Sequence, residues 1–147
     1  MVVAADSNIP LLNESLRDQC KVFSLHHDEI NNEVLRRIEC TILFVRSKTR
    51  VDLPLLNKTK INVVATATSG VDHIDGEQLA SLGISSIDAK GSNANSVAEY
   101  CLYALIHFSN AQNKSPNEIT LGVIGYGSVG KRFASYARAM GCKILAV

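Results

Sequence analysis

Three short stretches carry residue types whose spacing could do chemistry. The first, Gly125-Tyr126-Gly127-Ser128-Val129-Gly130, follows the apolar run Leu121–Ile124 and precedes a helical pattern over Lys131–Met140. Between a strand and a helix, the first glycine of such a loop permits a tight turn and the second lets backbone approach a pyrophosphate. The third lets helix and strand pack closely, and the helix N-terminus adds free amides and a positive dipole end. The second stretch is Val45-Arg46-Ser47-Lys48-Thr49. The third runs Ala65-Thr66-Ala67-Thr68-Ser69-Gly70-Val71-Asp72-His73-Ile74-Asp75. Both lie at the C-terminal end of an apolar run that reads as a parallel strand, the edge where open α/β sheets bind ligands. Hydroxyls and a glycine there can present donors to a carboxylate or phosphate. The same residues also serve ordinary turn and cap chemistry, and the residues alone leave both readings open.

Other residues invite assignment and are set aside. His26 and His27 follow a strand, His73 sits in a turn and His107 falls within a helix. None has a paired carboxylate at a spacing that implies a base. Asp72, His73 and Asp75 are neighbours on one turn, and such trios rarely converge on an ion, so no metal site is expected. The glycine loop calls for an acidic residue about 20 positions on, to hold ribose hydroxyls. Residues 125–147 contain no Asp or Glu. That acid is expected past Val147, and an intact cofactor site is not expected within the chain.

Apolar strand runs alternate with helical patterns, which predicts an α/β fold with parallel strands. Strands are predicted at Val2–Ala5, Val22–Leu25, Thr41–Val45, Ile61–Ala65, Ile84–Ile87, Leu121–Gly125 and Lys143–Val147. Runs as continuous as Ile42–Val45 suit strands covered on both faces. Pro10 is expected to open the first helix. Ile30, Val34 and Ile38 mark a second, and Asp75–Leu82 a third that Gly83 stops. The longest helix is predicted over Ser96–Ser109. A capping box of Ser96 and Glu99 opens it, and Val97, Cys101, Leu105 and Phe108 form its apolar stripe. The polar stretch 110–118 reads as a loop. The expected organisation is a small parallel-sheet domain over 1–95, a connecting helix and loop over 96–118, and the opening of a nucleotide-binding domain over 119–147. A lone βαβ buries little surface, so the chain reads as a fragment.

Composition narrows the function classes. Net charge is +1 and aromatic content 5%, without tryptophan, which favours neither a polyanion-binding face nor a base-stacking surface. No apolar stretch reaches the roughly 20 residues that span a bilayer, and the N-terminus lacks a signal-peptide pattern. No membrane partner and no nucleic acid are expected. Cys20, Cys40, Cys101 and Cys142 are widely spaced and read as buried thiols in a reducing, cytoplasmic setting.

Taken together and in order, VRSKT, TATSGVDHID, GSNANSVAEY and LGVIGYGSVGKR resemble the D-2-hydroxyacid dehydrogenase family. The likeness covers nearly the whole chain and is best from Thr41 onward. It implies a flavodoxin-like parallel sheet domain, followed by the first βαβ of a Rossmann NAD-binding domain. It further implies NAD as cofactor, a small phosphorylated 2-hydroxyacid as substrate, and a homodimer for the full-length protein. By this resemblance Ser47 and Thr68 contact substrate, with Arg46, Ser69 and Gly70 beside its anionic ends. Gly125 through Gly130, including Tyr126, Ser128 and Val129, form the cofactor loop. The family chemistry moves a hydride from the carbinol carbon to nicotinamide, using a histidine base, an orienting carboxylate and a substrate-binding arginine. These three have no counterpart here, so no catalytic residue is assigned and the chain alone is expected to be inactive. Lys90 and Ser92 depart from the family's usual Pro-Gly-Cys-Asn. Alternatives are a member acting on another 2-hydroxyacid, and a non-enzymatic nucleotide-sensing protein of the same fold.

Overall fold

The computed structural model describes residues 1–147, in two compact units, Met1–Lys90 and Gly91–Val147. In the first, five parallel strands form one sheet: β1 (Val2–Asp6), β2 (Lys21–Leu25), β3 (Ile42–Val45), β4 (Val63–Thr66) and β5 (Ser85–Ile87). Their order is β2-β1-β3-β4-β5, so the winding direction reverses between β1 and β3. Leu43, Val45 and Val64 on the inner strands are wholly buried. They share a core with Leu35 of α2 (Asn32–Arg37), Leu55 and Leu56 of α3 (Leu53–Leu56) and Leu79 of α4 (Gly76–Ser81). Helix ends follow local chemistry: Asn31, Asp52 and Asp75 each accept the amide of the residue three positions on. Gly83, at φ 69°, follows α4 as expected.

Some sequence expectations give way. Pro10 does not open a helix: Leu11 takes a left-handed conformation at φ 63°, and α1 runs only Leu12–Leu16 with no buried residue. Leu35, absent from the expected stripe of the second helix, is its buried residue. Helix α3 was not foreseen, although Asp52 as cap and Pro54 in the first turn are the usual start signals. Cys40 and Cys142 are buried, but Cys20 and Cys101 are only half-buried.

The second unit consists of α5 (Ala94–Ala111), β6 (Thr120–Val123), α6 (Ser128–Ala139) and β7 (Lys143–Ala146). β6 and β7 pair in parallel, and α5 packs against α6. The expected capping box is absent. Asn93 holds the cap position, Ser96 lies inside the helix, and Glu99 accepts from Asn95 Nδ2 at 2.9 Å. The buried stripe is Ala94, Ala98, Leu105 and Ser109, while Val97 and Phe108 are exposed. Small side chains let the two helices approach, and Tyr136 of α6 donates its hydroxyl to Asn95 at 2.6 Å. Strand β6 stops at Val123, two residues early, because Ile124 already belongs to the turn. Helix α6 starts at Ser128, three residues before its predicted start. No helix is long and apolar enough to cross a membrane.

Candidate functional site

The loops after β3 and β4 leave from adjacent strand ends, since Val45 and Thr66 are paired in register. A parallel bridge between Val51 and Ile74 ties the loops together. Val51 donates to the His73 carbonyl at 2.8 Å and accepts from Asp75 at 3.0 Å. This holds Ser47, Thr68, Gly70, Asp72 and His73 around a cleft of about 420 Å³ at the C-terminal edge of the sheet. Three of the five substrate-side candidates, Ser47, Thr68 and Gly70, thus meet. Ser69 is exposed and points its hydroxyl toward the Ala89 carbonyl at 3.5 Å, outside that group.

A hydrogen-bond chain runs beneath the cleft. Thr66 Oγ1, on a buried residue, lies 3.0 Å from His73 Nε2 and 2.8 Å from Thr68 Oγ1, and it accepts the Thr68 amide at 3.3 Å. Thr68 donates its hydroxyl to the Gly70 carbonyl at 2.9 Å. With that proton committed, the 2.8 Å contact needs the Thr66 proton on Thr68. His73 then donates from Nε2 to Thr66. Burial pushes the His73 pKa down, opposed by the charge of Asp72, so the neutral ring is favoured. Thr68 keeps one lone pair for a ligand hydroxyl. His73, which sequence places in a structural turn, is the anchor of this chain.

A second cleft, about 220 Å³, lies along the same edge toward β1 and β2. Arg46, Ser47 and Lys48 supply one wall, Asp6 and Asn8 from the end of β1 another, and His26 and His27 after β2 the third. Ser47 lines both clefts. Asp6 is buried, and its Oδ1 accepts from Asn8 N at 2.9 Å and Asn8 Nδ2 at 3.1 Å. The expectation that no histidine has a paired carboxylate is corrected here: Asp28 lies 3.2 Å from His26 Nδ1 and 3.2 Å from His27 Nε2. These three residues offer ligand-type atoms within 4.8 Å of one another. His27 Nδ1 is buried and without a partner. Sequence reasoning missed this cleft, whose signal is that every wall follows the end of a parallel strand. A larger depression, lined by Glu33, Arg36, Arg37, Lys58 and Lys60, lies at the opposite, N-terminal edge of the sheet.

In the second unit the three loop glycines differ in what they require. Gly125 has φ 90°, which side chains other than glycine rarely adopt. A Cβ on Gly130 would stand 2.2 Å from the Gly125 carbonyl oxygen, so helix and strand pack there only without a side chain. Gly127 has an ordinary φ of −83°, and a Cβ on it would meet nothing within 4 Å. It caps α6 without any side-chain hydrogen bond, which leaves the first amides of that helix for another partner. Gly91, at φ 80°, lies against Ser128.

The pattern is that of a known family. The family model described as D-isomer specific 2-hydroxyacid dehydrogenase, catalytic domain, matches residues 2–140, and the chain belongs to that family. Among curated relatives, the erythronate-4-phosphate dehydrogenase of Bacteroides thetaiotaomicron is 33% identical over 148 residues. The match covers 99% of this chain and 41% of that one. Its namesake in Hahella chejuensis is 35% identical, covering 98% of this chain and 37% of that one. The chain therefore spans well under half of either relative. Of solved structures, NAD+-bound 3-phosphoglycerate dehydrogenase of Entamoeba histolytica matches with TM-score 0.76 and 25% identity, covering 100% of this chain and 53% of that one. D-lactate dehydrogenase of Aquifex aeolicus, complexed with NAD and lactic acid, matches with TM-score 0.75 and 24% identity over 99% of this chain and 50% of that one.

Proposed function

We propose that the chain supplies the substrate-side domain, of flavodoxin-like type, and the opening βαβ of the Rossmann domain of an NAD-dependent 4-phosphoerythronate dehydrogenase. Such an enzyme oxidises the 2-hydroxyl of 4-phospho-D-erythronate to a ketone on the route to pyridoxal phosphate. The observation that carries the reading is the meeting of Ser47, Thr68 and Gly70 in one cleft at the C-terminal strand edge. Two relatives bearing the erythronate-4-phosphate name, each matched over nearly all of this chain, point to the substrate. Ser47 donates to an anionic oxygen of the substrate, and Thr68 accepts from its hydroxyl. Arg46 adds charge. In the second unit, the turn at Gly125 and the uncapped amides of α6 suit a pyrophosphate. When bound, the nicotinamide accepts the hydride. The base, its carboxylate and the substrate-binding arginine that the family resemblance implies are assigned to no residue of this chain. The full-length enzyme is proposed to be a homodimer.

Reduced-cofactor absorbance with the full-length enzyme tests this, offering 4-phosphoerythronate, 3-phosphoglycerate and lactate in turn. Preference for 4-phosphoerythronate is expected. Ser47→Ala should weaken its use roughly tenfold or more, since a hydrogen bond to a charged group is worth about 1.5–3 kcal/mol, with NAD affinity unchanged. A preference for 3-phosphoglycerate would favour the second reading, supported by the Entamoeba structure. Turnover of none of the three would overturn the assignment.

A further inference from the structure

We propose that His73 is a positioning residue: through Thr66 it fixes Thr68 as the acceptor for a substrate hydroxyl other than the one oxidised, so that the cleft selects 2-hydroxyacids bearing a further hydroxyl. The identity of the reaction rests on the dehydrogenase reading above; the direction of the hydrogen bonds rests on the geometry of the loop. Thr66 Oγ1 stands 3.0 Å from His73 Nε2 and 2.8 Å from Thr68 Oγ1, and Thr68 donates to the Gly70 carbonyl at 2.9 Å. Thr66 is 4% exposed, so its hydroxyl finds its partners inside the protein. With the Thr68 proton on Gly70, the Thr66 proton lies on Thr68 and the Nε2 proton on Thr66. Every proton in the row points the same way, and the row ends on a backbone carbonyl.

That direction decides what Thr68 can do. Its proton is committed and one lone pair is filled, so it meets a ligand only as an acceptor and has nothing to give a carboxylate or phosphoryl oxygen. Asp72 lines the same cleft, and its carboxylate repels anionic groups from this end. Nor can the row take up the proton of the reacting hydroxyl. A proton handed to Thr68 could move on only toward the Gly70 carbonyl, which is not a base, because the Thr66 and His73 protons already point toward Thr68. Oxidation therefore needs a general base on the reacting hydroxyl. The hydroxyl that rests on Thr68 is a spectator.

In a phosphorylated four-carbon 2-hydroxyacid, the group that fits is the hydroxyl next to the reacting carbon. Ser47, from the loop after β3, is left to donate to an anionic oxygen of the same molecule. An acid without the second hydroxyl would cover Thr68 and leave its lone pair unpaired, which costs binding. The discrimination depends on His73. Without a donor at Nε2, Thr66 has a lone pair to offer Thr68, whose proton can leave Gly70, and the row loses its single direction.

The test has two arms. In the first, calorimetry on the full-length enzyme compares 4-phosphoerythronate with 2-hydroxy-4-phosphobutanoate, which lacks only the second hydroxyl. The wild type should bind the former roughly two- to tenfold more tightly, the fold-change of one neutral hydrogen bond. Thr68→Val, which removes the acceptor, and His73→Leu, which removes the donor behind it, should each erase that preference and leave affinity for the deoxy acid nearly unchanged. His73→Gln, which keeps an N–H at the reach of Nε2, should restore it. Equal affinities in the wild type, or a preference that survives Thr68→Val, would overturn the proposal. So would a loss in His73→Leu that falls on both acids and is not repaired by His73→Gln. The second arm needs no substrate: imidazole nitrogen shifts of the isotope-labelled 147-residue chain should show the neutral His73 ring protonated at Nε2. A neutral ring protonated at Nδ1 overturns the row and the proposal with it. If the preference is present but the enzyme oxidises neither acid, the dehydrogenase reading fails and the hydroxyl contact stands.

Discussion

His73 Nε2 lies 3.0 Å from Thr66 Oγ1, and that buried hydroxyl stands 2.8 Å from Thr68 Oγ1. A ring three residues past Gly70 thus sets the orientation of a hydroxyl two residues before it. The bridge between Val51 and Ile74 fixes the turn that carries the ring. The loop is therefore ordered before any ligand arrives, which lowers the entropy cost of binding.

This arrangement gives stability a pH dependence. The His73 pKa is lowered from 6.5 by burial, with Asp72 opposing. A histidine held below its unfolded value contributes stability that is fully present above that value. The contribution is lost as pH falls through 6.5 toward the lower folded pKa. Urea midpoints of the wild type and His73→Gln should therefore differ more at about pH 7.5 than at about pH 5.5. A gap independent of pH would mean that His73 is not held neutral.

The loop glycines separate packing from ligand binding. Gly130→Ala forces a Cβ to 2.2 Å from a backbone oxygen. Overpacking of this kind costs about 1–3 kcal/mol, so thermal or urea unfolding should move accordingly. Gly127→Ser adds a side chain to open space at an N-cap position where serine is favoured. Its stability should hold or rise by about 0.5 kcal/mol, while dinucleotide affinity of the full-length protein falls because the serine oxygen engages an amide. Destabilisation by both variants alike would refute this division of roles.

Helix α4 offers a contrast within one element. Leu79 is 1% exposed in the core, whereas Leu82 at its C-terminal end is 46% exposed. Leu79→Ala should cost about 2–5 kcal/mol, and Leu82→Ala within about 0.5 kcal/mol of nothing. Denaturant midpoints of the two variants check the difference. Similar losses would contradict the placement of this helix on the sheet.

Much of the architecture was legible because continuous apolar runs mark covered parallel strands, and all seven predicted strands overlap observed ones. The register of α5 was not. Its packing on α6 selects the face bearing Ala94 and Ala98, which allows close approach, and leaves the larger Val97 and Phe108 outside. A stripe drawn from hydrophobicity alone picks the bulkier side. The Ser47–Thr68–Gly70 cleft could be expected from strand ends, because each segment carries its own local signature. The His27 cleft could not, since Asn8, His27 and Lys48 are brought together only by the strand order β2-β1-β3. The hydrogen bond between His73 and Thr66 depends in the same way on a bridge that no local pattern announces.

The last expectation concerns the 147-residue chain by itself, which should bind NAD weakly and turn nothing over. It has the glycine loop, with the Gly125 turn and the uncapped start of α6. Residues 125–147 hold no carboxylate to accept the ribose hydroxyls, a contact the fingerprint normally includes. Each such charge-assisted bond is worth about 1.5–3 kcal/mol, so loss of one weakens binding roughly ten- to a hundredfold. β7 has only β6 as a strand partner, and Leu145 is 57% exposed. Self-association through that strand is expected to compete with nucleotide. Calorimetry with NAD, run beside sedimentation on the same sample, measures both effects. Micromolar NAD affinity in a monomeric sample, or any turnover of 4-phosphoerythronate, would refute this expectation.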